Sequence, residues 1–161
     1  MTETWTIVET PVGGPVADAV LREYYSEIIG RFRGRKPTEA EIDGARTEEP
    51  DDGIEPPDGF FLVAYRDAAV CGCAGIRALQ PGIAELKRMY VRPTARGLGT
   101  GARLVAAAQS RARGLGYRAI RLDTRHDLVE ARGLYTKLSF AEIPAYNRNP
   151  YAEHWFEKVL S

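Results

Sequence analysis

The stretch Met89-Tyr90-Val91-Arg92-Pro93-Thr94-Ala95-Arg96-Gly97-Leu98-Gly99-Thr100-Gly101-Ala102-Arg103-Leu104 decides the fold. A strand-like run enters it, passes Pro93 and the glycine-rich Arg96–Gly101, and continues directly into a pattern of helical period. Side chains are nearly absent at that helix entrance. Glycine lets a ligand reach the backbone, and the unpaired amides of a first helical turn, at the positive end of the helix dipole, make an anion site. The arrangement suits a pyrophosphate. A triphosphate-binding loop would need Lys followed by Ser or Thr after its last Gly, where Ala102-Arg103 stands. A dinucleotide fold would set such a turn after its first strand with an acid about 20 residues on; Asp123 is available, but about four strand-like runs precede the loop. Glycines acting only as turn residues are the bland alternative.

Upstream of this stretch, FFLVAYRD (60–67), VCGCAGIRAL (70–79) and IAELKRMYV (83–91) read as an antiparallel meander with short turns between them. Residues 4–10 read as a first strand, broken by Pro11, Gly13, Gly14 and Pro15 ahead of a helical pattern from Val16 to about Ile29. A weaker helix starts at Thr38, where Thr-Glu-Ala-Glu forms a capping box. The acidic, Pro- and Gly-rich segment from Glu48 to Gly59 is expected to be a mobile, functional loop. Downstream come a helix from Thr100 to Arg113, a strand (117–124), a helix (Leu128–Leu138) and two terminal strands near Phe140–Ile143 and His154–Leu160. Strand and helix alternating after a meander imply an α/β fold with a mixed sheet and helices on both faces.

The 161 residues, 44% hydrophobic and 27% charged, fit one globular domain spanning 1–161. Lys plus Arg and Asp plus Glu both total 22, so the net charge is zero and a dedicated nucleic-acid binder is not expected. The balance conceals an asymmetry: nine acidic residues against two basic ones from Lys36 to Phe60, and ten basic against two acidic from Glu85 to Arg125. The cationic stretch suggests a small, multiply charged anion as ligand; the alternative is a solvated Arg-rich surface. Cys71 and Cys73 would project from one strand face, an unlikely geometry for a disulfide, and read as small buried fillers in a reducing compartment. The first ten residues lack a basic region followed by an apolar run, and no stretch approaches the ~18 apolar residues of a membrane span. A cytoplasmic location, with no membrane partner, is expected.

RGLGTG (96–101) fits the Gln/Arg-x-x-Gly-x-Gly/Ala signature of the GNAT (GCN5-related) N-acetyltransferases, and ELKRMYVRP (85–93) and ARGLYTKLSF (131–140) resemble the strand before that signature and the helix with its Ala-x-x-x-Tyr element. The resemblance covers roughly residues 60–160. Two positions depart from it: Leu128 where many members carry Asn, and Ser139 where Gly usually precedes Phe140. The resemblance implies a GNAT-type acyl-CoA fold with a mostly antiparallel sheet, acetyl-CoA as cosubstrate, and a small-molecule or peptide amine as partner. It also implies that backbone groups of Met89, Tyr90 and Val91 pair with the pantetheine arm and acetyl carbonyl, and that the amides of Arg96, Gly97, Leu98, Gly99, Thr100 and Gly101 hold the pyrophosphate. A homodimer is compatible with it.

Acetyl transfer from a thioester to an amine asks for a neutral amine, a stabilised oxyanion and a proton for the leaving thiolate. Tyr135, protonated at neutral pH, is the expected catalytic acid, as the matching Tyr of related enzymes is proposed to be; the alternative is a core aromatic continuing the stripe of Leu128, Ala131 and Leu138. Glu85, eleven residues before Arg96, stands where the histone acetyltransferase branch has its base; the alternative is a cross-strand pair with an Arg. His126 and His154 lack companions at metal-ligand spacing, so no metal is expected; both read as structural, with His126 a candidate proton carrier. The acceptor is expected between the first helix and the tail IPAYNRNPYAEHWFEK (143–158), rich in Tyr, Asn and Trp. Arg31, Arg33, Arg35 and Lys36 would suit a carboxylate-bearing acceptor, whereas the acidic 39–58 region would suit a polyamine or basic peptide. The reading is an N-acetyltransferase acting by direct attack; the alternatives are a non-catalytic acyl-CoA-binding regulatory module and an adenylate-binding Rossmann-like module.

Overall fold

The computed structural model describes residues 3–51 and 53–161; Met1, Thr2 and Asp52 of the acidic segment lie outside the described residues. Strand β1 (Trp5–Glu9) lies on β2 (Phe60–Arg66), β2 on β3 (Ala69–Gln80), and β3 on β4 (Ile83–Val91), all antiparallel, as the meander implies. The β2–β3 hairpin turns through Asp67 and Ala68, both at positive φ, the geometry whose twist matches the strands it joins. After β4 and a single 3-10 turn (Pro93–Ala95) come α3 (Thr100–Gly114), β5 (Ala119–Thr124), α4 (Val129–Lys137), β6 (Ala141–Ile143) and β7 (His154–Val159). The seven strands form one sheet in the order β1-β2-β3-β4-β5-β7-β6, and β4–β5 is its one parallel pair.

Helix α1 (Pro15–Arg33) opens with Pro at its first position and runs to a left-handed cap at Gly34, which carries it past the apolar stripe that predicts an end near Ile29. In α2 (Glu39–Glu48) the capping box is complete: the Glu41 amide donates to Thr38 Oγ1 at 3.1 Å and the Thr38 amide to Glu41 Oε1 at 2.9 Å. Two cores flank the sheet. On one face Leu62, Ile76, Leu86, Leu104, Ile120 and Tyr135 pack with α3 and α4; on the other Leu21, Phe61, Val63, Cys73 and Tyr90 pack with α1.

One irregularity in β4 sets the site. The β3–β4 register slips between Cys73 and Gly75, and Arg88 takes φ +60 inside the strand, a bulge in which an L-residue is held left-handed. Before it, Ala84 and Leu86 face the α3 core; after it, Tyr90 joins the α1 core while Met89 and Val91 pack at the α3 side. A regular strand would keep Leu86 and Tyr90 on one face.

The segment expected as a mobile 48–59 loop carries, among the described residues, no helix or strand beyond Glu48 and is tied down at several points. Arg88, only 3% exposed, donates to the Glu49 carbonyl at 3.0 Å and to Asp51 Oδ1 at 3.2 Å; Ile54, 2% exposed, fills the α1 core; and the Tyr117 hydroxyl donates to the Asp58 carbonyl at 2.6 Å. Its charge composition conceals one apolar anchor and a buried guanidinium contributed by another element. Among the described residues no helix is long and apolar enough to cross a membrane.

Candidate active site

β4 and β5 pair only over Ile83–Glu85 and Ala119–Arg121. From Leu86 to Val91 β4 has no partner on that side, so the sheet opens into a wedge whose β4 edge leads towards the glycine turn. In that turn Gly97 and Gly99 adopt φ +76 and +84, and a Cβ built on either would meet nothing within 4 Å, so the backbone faces open space. The first hydrogen bond into α3 runs from the Arg103 amide to the Gly99 carbonyl at 3.1 Å, leaving the amides of Thr100, Gly101 and Ala102 without an intrahelical acceptor. Thr100, buried, donates from Oγ1 to the Ala95 carbonyl at 3.0 Å and fixes the entry of the helix. A Cβ on Gly101 would sit 2.8 Å from Leu134 Cδ2, so a larger residue there would have to displace the Leu134 side chain of α4. The residues present fit a pyrophosphate-bearing linear ligand, with an anion cradle at one end of a free strand edge.

The cationic stretch supplies less free charge than its composition implies. Arg92 grips Glu23 of α1 at 2.7 and 2.5 Å, and Arg96, whose Nε donates to the Val91 carbonyl at 3.1 Å, pairs with Glu27 one turn later. These two pairs dock α1 onto the strand–helix junction, so what the turn offers an anion is its unpaired amides rather than these guanidiniums. Arg103 lies over the Trp5 ring at 4.5 Å.

A cavity of about 460 Å³ lies in the wedge, between α1 and α2 on one side and β4, β5 and α4 on the other. Tyr24, Ile28 and Phe32 of α1 line it at helical spacing, and Asn149, Tyr151 and Ala152 of the tail close it, so it occupies the space expected for an acceptor. Tyr135 is on its wall, packed against Phe140 and Phe156 at ring-centroid distances of 5.6 and 6.1 Å. Tyr135 is a core ring, as the alternative expectation has it, and its edge reaches the cavity. Among the described residues its hydroxyl has no protein partner, and the one sealed, unpartnered side-chain polar atom is Arg66 Nε, so the Tyr135 hydroxyl opens to the cavity. Burial first, and then the charges of Tyr24 and Asp123, push this phenol well above its ordinary value. Tyr90, whose hydroxyl lies 3.4 Å from Glu23, is pushed up to about 12, chiefly by burial.

Glu85 is 1% exposed and off the cavity wall. Its Oε1 accepts from Arg77, its cross-strand partner, at 2.8 Å, and its Oε2 accepts from the Tyr146 hydroxyl at 2.6 Å. The histidines meet each other: His126 Nδ1 lies 2.9 Å from His154 Nε2, and His154 Nδ1 lies 2.9 Å from Glu142. Neither ring lines the cavity, and the described residues include no group of three or more His, Cys, Asp or Glu arranged to hold a metal ion. Sequence reasoning missed Arg88, and it weighed Asp123 only as the acid of a dinucleotide turn. Asp123 lines the cavity with Oδ2 accepting from Asn147 at 2.6 Å and Oδ1 from Asn149 at 3.2 Å. Its sequence signal was the Asn-x-Asn of the polar tail, legible only as a wall.

Comparison with known proteins follows the same lines. The model of the acetyltransferase (GNAT) family matches residues 21–140. An uncharacterized N-acetyltransferase of Schizosaccharomyces pombe is 38% identical over 97 residues, 59% of this chain and 60% of that protein. The IAA acetyltransferase of Azospirillum brasilense is 41% identical over 90 residues, 55% of this chain and 59% of that protein. The chain thus spans about three-fifths of the length of these curated relatives. A GNAT-family acetyltransferase structure from Staphylococcus aureus shares the fold at a TM-score of 0.78 and 19% identity, covering 98% of this chain and 100% of that one. The PaiA N-acetyltransferase from Thermoplasma acidophilum, solved with coenzyme A, does so at 0.75 and 18%, covering 97% and 99%. With a family match over most of its length, a wedge between β4 and β5 and an amide-lined glycine turn, the chain belongs to the GNAT acetyltransferase family.

Proposed function

We propose that the protein transfers the acetyl group of acetyl-CoA to a primary amine of a small molecule or peptide by direct attack, with no covalent enzyme intermediate. The observation that carries this reading is the parting of β4 from β5 after Glu85, which leaves a free strand edge beside an open glycine turn and a cavity bearing Tyr135. Acetyl-CoA supplies the activated acyl group. The amides of Arg96 to Gly101 hold its pyrophosphate, and the backbone of Met89, Tyr90 and Val91 takes its amide-bearing arm as it would another strand. The amide of Tyr90 or Val91 polarises the acyl oxygen.

Tyr135 keeps its proton throughout the neutral range, as an ordinary phenol does and burial reinforces, and it gives that proton to the departing sulfur. Glu85, whose oxygens are held by Arg77 and by the Tyr146 hydroxyl and which, like Tyr146, is off the cavity wall, takes the amine's proton through water rather than by contact with the acceptor. Cys71 and Cys73 are free and buried, which fits a reducing compartment, and we place the reaction in the cytoplasm.

The test is thiol release from acetyl-CoA across amino acids, polyamines, arylalkylamines and an N-terminal peptide, with Tyr135→Phe in parallel. Turnover that falls roughly 100-fold or more in the variant, with acetyl-CoA affinity retained, supports the reading. Tight acetyl-CoA binding with no turnover on any amine would replace it with a regulatory acyl-CoA-binding module.

A further inference from the structure

The charges around the cavity are nearly all spoken for within the protein. Arg33 pairs with Glu41 at 2.6 Å, Arg88 with Asp51 at 3.2 Å and Arg125 with Asp127 at 2.9 Å. Arg31 and Arg35, which the sequence offers as anchors for an anionic acceptor, pair with Glu130 and Glu41. Asp123 is different. Both its oxygens accept from neutral amides, Asn147 and Asn149, and among the described residues no cation lies within 4 Å of it. Lys87, on the same cavity wall, has no carboxylate within that distance either, Asp123 included. Glu48, the other cavity carboxylate without a partner, is exposed at the rim.

Two amides orient a carboxylate and desolvate it partly, but they do not neutralise it. Its charge reaches the phenols around it, adding to the burial that raises Tyr24, to about 12, and Tyr135. A half-buried carboxylate held in place without a counter-ion is a site for one. The apolar part of the wall indicates what carries that cation: Tyr24, Ile28 and Phe32 on α1, Leu128 at the start of α4, and Tyr151 packed edge-on to Phe32 at 5.8 Å.

From this juxtaposition we infer that Asp123 is the specificity-determining residue that binds the acceptor as an ammonium, and that the acceptor is a primary alkylamine carried on an apolar or aromatic arm. This rests on the acetyltransferase reading for the word acceptor; the ammonium site itself does not depend on it. Asn147 and Asn149 are positioning residues.

The experiment is calorimetric binding of phenethylamine to protein saturated with CoA, a complex that cannot turn over, with 2-phenylethanol as the neutral isostere. The wild type should prefer the ammonium over the alcohol by roughly tenfold or more, as expected of a hydrogen bond to a charged group. Asp123→Asn should lose that preference, Asp123→Glu should retain most of it, and the alcohol should bind wild type and Asp123→Asn alike. Equal binding of amine and alcohol by the wild type, or no binding of the amine, overturns the inference without any variant having to fold. So does unchanged amine affinity in Asp123→Asn. Asp123-dependent binding without thiol release from acetyl-CoA would sink the transferase reading and leave the ammonium site standing; turnover on amines with Asp123-independent binding would do the reverse.

Discussion

Replacing Arg88 by Met should cost about 3 kcal/mol of stability and loosen one wall of the cavity. The guanidinium side chain is 2% exposed and answers four groups of the 49–51 segment: the Asp51 and Glu49 carboxylates at 3.2 and 3.6 Å, and the Glu49 and Pro50 carbonyls at 3.0 and 3.4 Å. It also lies over the Tyr25 ring at 5.5 Å. Removing one partner of a buried ion pair costs about 3 to 5 kcal/mol. Asp51 retains 17% exposure and can rehydrate, so the lower end applies. For a domain of this size that is a fall of about 6 to 12 °C in Tm. Met leaves the left-handed backbone at position 88 in place, whereas Arg88→Gly removes it and should recover about 1 kcal/mol. Urea unfolding followed by circular dichroism gives the stabilities, and limited proteolysis within 49–59 reports the release of the segment. A Met variant within about 0.5 kcal/mol of wild type, or one that is harmed no more than a Gly variant is, would refute the account of both the anchor and the strain.

Ser139 sits at φ +72 where the family usually has Gly, so Ser139→Gly should raise stability by about 0.5 to 1 kcal/mol, read as the urea midpoint, with acetyl-CoA affinity unchanged. The Arg35 hydrogen bonds, then the Thr38 amide, hold the Glu41 carboxyl down at about 2, so its contribution is present above the ordinary carboxylate range and is lost as pH falls through about 2. Glu41→Gln should therefore lower the thermal midpoint near neutral pH and converge with wild type in strong acid. Tyr135→Phe should unfold within about 1 kcal/mol of wild type, because the ring stays between Phe140 and Phe156 and the hydroxyl makes no protein bond; a larger loss would mean a structural rather than chemical hydroxyl.

The elements were legible in the sequence because they are local. The Thr38 box, the hairpin turn at Asp67-Ala68 and the glycine entrance to α3 each carry their signal within a few residues. Glu85 was legible in position, and its pairing with Arg77 is one of its two expected fates. What the chain order concealed was pairing over distance. Arg31, Arg33 and Arg35 read as free cations until Glu130 and Glu41 are folded against them, and Asp123 read only as a candidate acid for a dinucleotide turn until it proved to be a half-buried cavity carboxylate without a counter-ion. Nor could periodicity reveal the bulge: IAELKRMYV alternates no differently for a straight strand, and the residue at the slip, Arg88, pairs with a segment some 37 residues earlier in the chain.

That bulge ties the two halves of the site to one residue. By inserting Arg88 out of register, β4 sends Tyr90 into the α1 core and turns Met89 and Val91 towards the α3 side, which sets the strand edge proposed for the cosubstrate. The same side chain fastens the 49–51 segment, from which Glu49 lines the acceptor cavity. A left-handed L-residue persists only where its surroundings over-determine it, and here the surroundings are the cavity wall itself. Loosening that wall therefore relaxes β4 towards a regular register, and a regular register moves Tyr90 off the α1 core. It follows that Asp51→Asn, a substitution on the acceptor side and distant in sequence from the glycine turn, should weaken acetyl-CoA binding as well as amine binding, whereas Asp123→Asn, which touches no part of the bulge, should weaken amine binding alone. Calorimetry with CoA on these two variants separates a site built as one mechanical unit from two sites that merely adjoin; equal CoA affinity in both would show that the strand holds its bulge without the segment.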